Sequence, residues 1–182
     1  AVETIGEEEK TEIMMEKGAS AKQVEANMEI INSNVAAIQD VKVLGDFPTN
    51  DSENNMGIAI SRGIQVTGVD NAKVYYSEND KATDNIEDTH NGWSENLDGR
   101  EAKKYLISLD SVNAQSSVQA TYQMAIPENL EYNKVATEGY SIKATNSETG
   151  TAIQTEATTI AMQTGVGPKV ESQIQAMVGT DT

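Results

Sequence analysis

One stretch, Gln23–Pro48, narrows the possible folds more than any other. Val24, Ala26, Met28 and Ile30 fall in one row, and Gln23, Glu25, Asn27 and Glu29 in the other. A period of two is what a strand with one dry face and one wet face requires, and a helix cannot bury it. Asn32-Ser33-Asn34 follows, three short polar side chains that bond to nearby backbone and favour a turn. Val41 and Val43 resume the alternation, and Pro48 ends it because its nitrogen has no proton to give a ladder. Strand, turn, strand is therefore the expected unit, and it predicts a β-sandwich.

The rest of the chain repeats the pattern. Ile58–Val66 reads as a strand with a bulge at Gly63, and Lys73–Tyr76 as a short strand. Tyr105, Ile107 and Leu109 align in one row. Val118, Ala120, Tyr122, Met124 and Ile126 give the cleanest alternation of all, after a hairpin-type loop at 110–115. Tyr140, Ile142 and Ala144 mark another strand. Thr151–Gln163 reads as a strand or a strand pair, and Val170–Val178 as the last strand. Polar or glycine-rich breaks are expected at 49–56, 128–137 and 165–168. The sum is an all-β chain of about nine to eleven strands, an antiparallel sandwich with no helix of note. Residues 18–182 form one domain in this reading, and 1–17 an N-terminal arm or strand able to pair with a neighbour.

Composition limits function. The chain has 182 residues and a formal net charge of −16, with only 13 Lys and Arg to 29 Asp and Glu. A nucleic-acid partner needs a basic patch to replace counterions, and the scattered cations supply none. No apolar run approaches the ~20 residues that span a bilayer as a helix. The absence of cysteine excludes disulfides and thiolate metal sites. Aromatic residues make up 4% of the chain, too few for a sugar-stacking cleft. No phosphate loop, HExxH, dinucleotide fingerprint or Gly-x-Ser-x-Gly is present, so no enzyme is expected.

The residues EANMEIINSNVAAIQDVKVLGDFP resemble the conserved repeat domain, an Ig-like β-sandwich, of Gram-positive, clostridial-type cell-surface proteins. The matching parts are Met28–Ile31 as strand, Asn32–Asn34 as turn, Val41–Val43 as strand, and Asp46 shortly before Pro48. VQATYQMAIPENLEYN and TGVGPKVESQIQAMVG are similar to later strands of related wall proteins. This resemblance implies an extracellular, non-catalytic module of a stalk, fibre or repeat protein. Its partners would be neighbouring copies or adjacent domains of the same chain.

Residues 77–101 are the longest irregular stretch, and a loop of this length is usually functional. It holds the only His and the only Trp of the chain. A catalytic His90 would need a held nucleophile or acid, and no motif around it provides one, so a solvated loop histidine is expected. Trp93 is expected to pin the loop to the sandwich, with ligand anchoring as the functional alternative. Asp84, Asp88 and Asp98 stand in a carboxylate-rich run that suggests a structural calcium ion, although EF-hand spacing is absent and a solvated acidic loop is the simpler reading. Thus Trp93 and His90 are the candidate contacts if the chain is an adhesin that binds a host or wall ligand. Lys42, Lys73 and Lys143 lie out of phase with their apolar neighbours and are expected to face solvent; Lys103 shares a row with Tyr105.

Overall fold

The computed structural model describes residues 2–8, 12–14, 22–50, 57–98, 100–127, 135–154, 158–165 and 172–180. The breaks expected at 49–56, 128–137 and 165–168 lie wholly or partly outside these, as do residues 15–17 of the arm. The described strands are β1 (Val2–Glu8), β2 (Glu12–Met14), β3 (Lys22–Asn32), β4 (Ile38–Asp46), β5 (Ala59–Thr67), β6 (Lys73–Ser77), β7 (Lys104–Val112), β8 (Ser116–Ile126), β9 (Val135–Asn146), β10 (Ala152–Gln154), β11 (Thr158–Gly165) and β12 (Ser172–Thr180). They form two sheets. Sheet one has the order β1-β12-β3-β8-β5, and sheet two the order β2-β11-β9-β4-β7-β6, with β10 beside β9. The fold is the expected all-β sandwich. Its pairings are antiparallel except where β12 joins β3 and β2 joins β11, both in parallel.

The alternating rows place the core. Val24, Ala26, Met28 and Ile30 of β3 and Val118, Ala120, Tyr122, Met124 and Ile126 of β8 face Val41 and Val43 of β4, Tyr105, Ile107 and Leu109 of β7, and Ile142 of β9. Each fully buried Ile, Leu or Val contributes ~1.5–3 kcal/mol relative to exposure, so the rows themselves carry the fold. The two strands of Gln23–Pro48 are adjacent in sequence but lie in different sheets. β3 pairs with β8 and β12, whereas β4 pairs with β7 and β9. Both strands have their apolar row toward the core, which facing sheets satisfy.

Asn32 makes that crossing. Its side chain is fully buried. Its amide Nδ2 donates to the carbonyls of Ala36, Val112 and Asn113 at 3.0, 3.1 and 3.0 Å. Its Oδ1 accepts from the backbone N–H of Asn34 at 3.1 Å and from the Asn34 amide at 2.7 Å. One side chain thereby ties the β3–β4 turn to the end of β7.

Aromatic residues are concentrated inside. The only Phe and three of the six Tyr form one cluster. The Phe47 ring lies 4.9 Å from Tyr105, 5.1 Å from Tyr122 and 6.3 Å from Tyr76 between centroids. Gly45 is opposite Tyr105 in the β4–β7 ladder, and a Cβ there would fall inside the tyrosine ring. Glycine at 45 therefore makes room for the cluster. Tyr76 spans the sandwich from β6, and its hydroxyl accepts the N–H of Ile64 at 2.8 Å. That contact lies at the irregular register between Arg62 and Gln65, where the predicted bulge near Gly63 is found.

Candidate functional site

Residues 78–98 with 100–101 are folded, and their order comes from short polar side chains. Asn79, Asn85, Asp88 and Asn96 each accept, through Oδ1, the backbone N–H two residues ahead, at 2.9–3.1 Å. Such turns replace the ladder bonds that a loop lacks. Asn91 is buried and links distant parts of the loop: its Oδ1 accepts from the Thr83 N–H at 3.0 Å, and its Nδ2 donates to the Asn85 carbonyl at 2.8 Å. Arg100 closes the loop by donating to the carbonyls of Tyr76 at 3.0 Å and Gly92 at 2.9 Å.

The loop does two things to sheet two. Ser94 exchanges two backbone hydrogen bonds with Tyr76, at 2.8 and 3.1 Å, so it stitches the outer edge of β6. The loop also overlies the outward face. Ala82 and Thr83 stand beside Leu44 there, and outward-facing Leu106 is fully buried.

The singled-out residues are spread along this layer. Trp93 is half-buried, and its indole N–H donates to the Thr83 carbonyl at 2.7 Å, which pins one half of the loop to the other. His90 is 92% exposed in its side chain, and its Nδ1 lies 3.0 Å from Asp88 Oδ1. The same Asp88 oxygen accepts the His90 backbone N–H, which is the first cause holding the carboxyl below its usual range; the contact with the imidazole adds to it. Asp84 makes an ion pair with Lys143 at 3.1 Å. Asp98 is exposed and follows the Asn96 turn. Asp84, Asp88 and Asp98 thus have separate surroundings, and among the described residues no three acidic or imidazole groups come together as a metal site.

Sequence reasoning missed the concavity at the rim of the loop. Its volume is about 270 Å³, with Lys42, Leu44, Ser141 and Lys143 as floor and Thr83 and Asp84 as wall. Lys42 and Lys143 are outward-facing, as their phase predicts, and stand directly opposite each other in the β4–β9 ladder. Asp84 lies between them: its carboxylate takes Lys143, and its backbone carbonyl accepts from Lys42 Nζ at 3.4 Å. The signal was in the chain, since two lysines at matching outward positions of neighbouring strands need an acid between them, but strand order was required to see it. Lys103 precedes β7 and donates its backbone N–H to Ser77. The strand residue is Lys104, held 2.8 Å from Asp46.

No family model matches the chain, and no curated protein matches it. Among solved structures it is similar to AvmM, which catalyses macrocyclization in alchivemycin A biosynthesis, at 12% identity over 92% of this chain and 90% of that one, with a TM-score of 0.36. It is also similar to a protein of Corynebacterium diphtheriae described as membrane anchored, at 10% identity over 81% of this chain and 37% of that one, TM-score 0.38. A third is AggA, the major subunit of aggregative adherence fimbriae type I of Escherichia coli, at 11% identity over 80% and 96% of the two chains, TM-score 0.28.

Proposed function

We propose that this chain is a structural subunit of a bacterial cell-surface fibre or stalk, working outside the cell. In this reading its sandwich is Ig-like, of the kind found in repeat domains of Gram-positive, clostridial-type surface proteins. The residues behind the resemblance support it by their positions: Asn32–Asn34 cross between sheets, Val41 and Val43 are core, and Asp46 pairs with Lys104.

The observation that carries the proposal is the state of the sheet edges. The β6 edge of sheet two is stitched by Ser94, whereas β1 and β5, the two edges of sheet one, have no outer neighbour among the described residues. Unpaired edges invite strand addition. β1 joins its own β12 over seven consecutive residues, so the arm expected to pair with a neighbour pairs first within its chain and offers its far side. Growth would come from the β1 edge of one copy meeting the β5 edge of the next, a heterologous contact that propagates as a filament. The bulges of β5 confine that contact to short straight runs and oppose indiscriminate pairing.

Negative-stain micrographs and sedimentation of the purified chain over a wide concentration range test this. The expected result is rods that lengthen with concentration; a strictly monomeric chain throughout contradicts it. A second reading, binding of a host or wall ligand beside the 77–101 loop, is supported by the Lys42–Lys143 concavity.

A further inference from the structure

The Lys42–Lys143 concavity has an unusual charge for this molecule. Like charges directly opposite on one sheet face repel. The chain has 13 cations against 29 acids, yet two lysines share this one spot. Among the described residues a single carboxylate, Asp84, serves both and makes its ion pair with Lys143, while Lys42 donates to its backbone carbonyl. Counted over the described residues, one positive charge is thus left over at this spot, within an acidic protein.

The walls say what kind of anion fits. Thr83 and Ser141 supply hydroxyls, and Leu44 is an apolar floor. A volume of about 270 Å³ is just under the ~300–1,000 Å³ of drug-sized sites, which suits a single ring. An amino acid would need a further acid for its ammonium group, and Asp84 is already engaged by Lys143. From these features we infer that the concavity is a subsite for a hexuronate, an acidic sugar residue. The sugar carboxylate pairs with Lys42, the ring lies over Leu44, and its hydroxyls exchange hydrogen bonds with Thr83 and Ser141. Recognition here runs through charge and hydroxyls, with no aromatic stacking.

The inference rests on the ligand-binding reading and is independent of fibre formation. The test is titration of the ¹⁵N-labelled full chain with sodium D-glucuronate at low salt, with sodium acetate and D-glucose as controls. Saturable amide shifts confined to the strands and loop around Lys42, Asp84 and Lys143 are expected with glucuronate, with weaker shifts from acetate and none from glucose. Lys42→Met leaves the Asp84–Lys143 pair in place and is expected to weaken glucuronate about tenfold, the loss of one charge-assisted contact. Asp84→Asn frees Lys143 and is expected to tighten it. Equal shifts from acetate and glucuronate, or a Lys42→Met protein that binds as the parent does, would overturn the inference. A chain that ignores glucuronate but binds another glycan on an array keeps the ligand-binding reading and loses the hexuronate site; one that binds no glycan loses both.

Discussion

At the scale of single residues, two side chains hold the sheets together by hydrogen bonds that nothing else can replace. Asn32 satisfies three carbonyls through one amide, in a place closed to water. Leaving a buried acceptor unpaired costs ~1–3 kcal/mol, and the acceptors here share one donor group, so Asn32→Ala is expected to cost about 3 kcal/mol in urea unfolding. Tyr76 is the second. Burial is the larger influence on its phenol and raises its pKa above the usual 10.0, while the bond from the Ile64 N–H pulls it part of the way back. A pKa raised by folding means that the folded protein holds the proton more tightly. Its stabilising effect is therefore complete below the unfolded value near 10 and is lost as pH rises through the folded value. Alkaline titration of stability should show a fall above pH ~10, and Tyr76→Phe should flatten that fall. The same variant should be less stable by about 1 kcal/mol at neutral pH, because the Ile64 N–H loses its acceptor.

At the scale of elements, what could be read from the chain divides according to how local its cause is. The rows of β3 and β8 were legible because a period of two depends only on neighbouring residues. The separation of β3 from β4 into different sheets was not, because alternation fixes which face is buried and says nothing about which strand lies alongside. The run Tyr105-Leu106-Ile107 carried an unused signal. Three consecutive apolar residues mean burial on both faces, and Leu106 is indeed buried although it lies out of phase with the core row of Tyr105 and Ile107. Trp93 was expected to pin the loop to the sandwich, whereas its indole N–H donates to the Thr83 carbonyl within the loop itself, a partner that only the folded loop brings near. The lysine concavity was not legible, since it needs β4, β9 and the loop together. Edge strands give the element-scale prediction. Ser61 and Gln65 are exposed on β5, and lysines on an edge discourage strand addition. The double variant Ser61→Lys with Gln65→Lys is expected to keep the fold, shifting stability by no more than about 0.5 kcal/mol per site, while removing assembly on native gels.

At the scale of the whole molecule, charge and topology pull against each other. A formal charge of −16 makes copies repel, so assembly through sheet edges should strengthen as salt shortens the screening length from ~30 Å in dilute buffer to ~8 Å at physiological ionic strength. Assembly that weakens with salt would point to specific ion pairs between copies. In the proposed fibre sheet one is the layer that continues from copy to copy, since neither of its edges has an outer neighbour among the described residues, whereas β6 of sheet two is bridged by Ser94. The absence of native cysteine makes this directly measurable. Thr4→Cys places a thiol on β1, Gln65→Cys on β5, and Glu95→Cys on the exposed loop. Mixtures of the single-cysteine proteins can then be oxidised and read on a non-reducing gel. If sheet one runs through the fibre, the Thr4 and Gln65 variants cross-link efficiently to each other, and the Thr4 and Glu95 variants do so only at the background level. Equal cross-linking of the two mixtures, or none in either, would contradict the account.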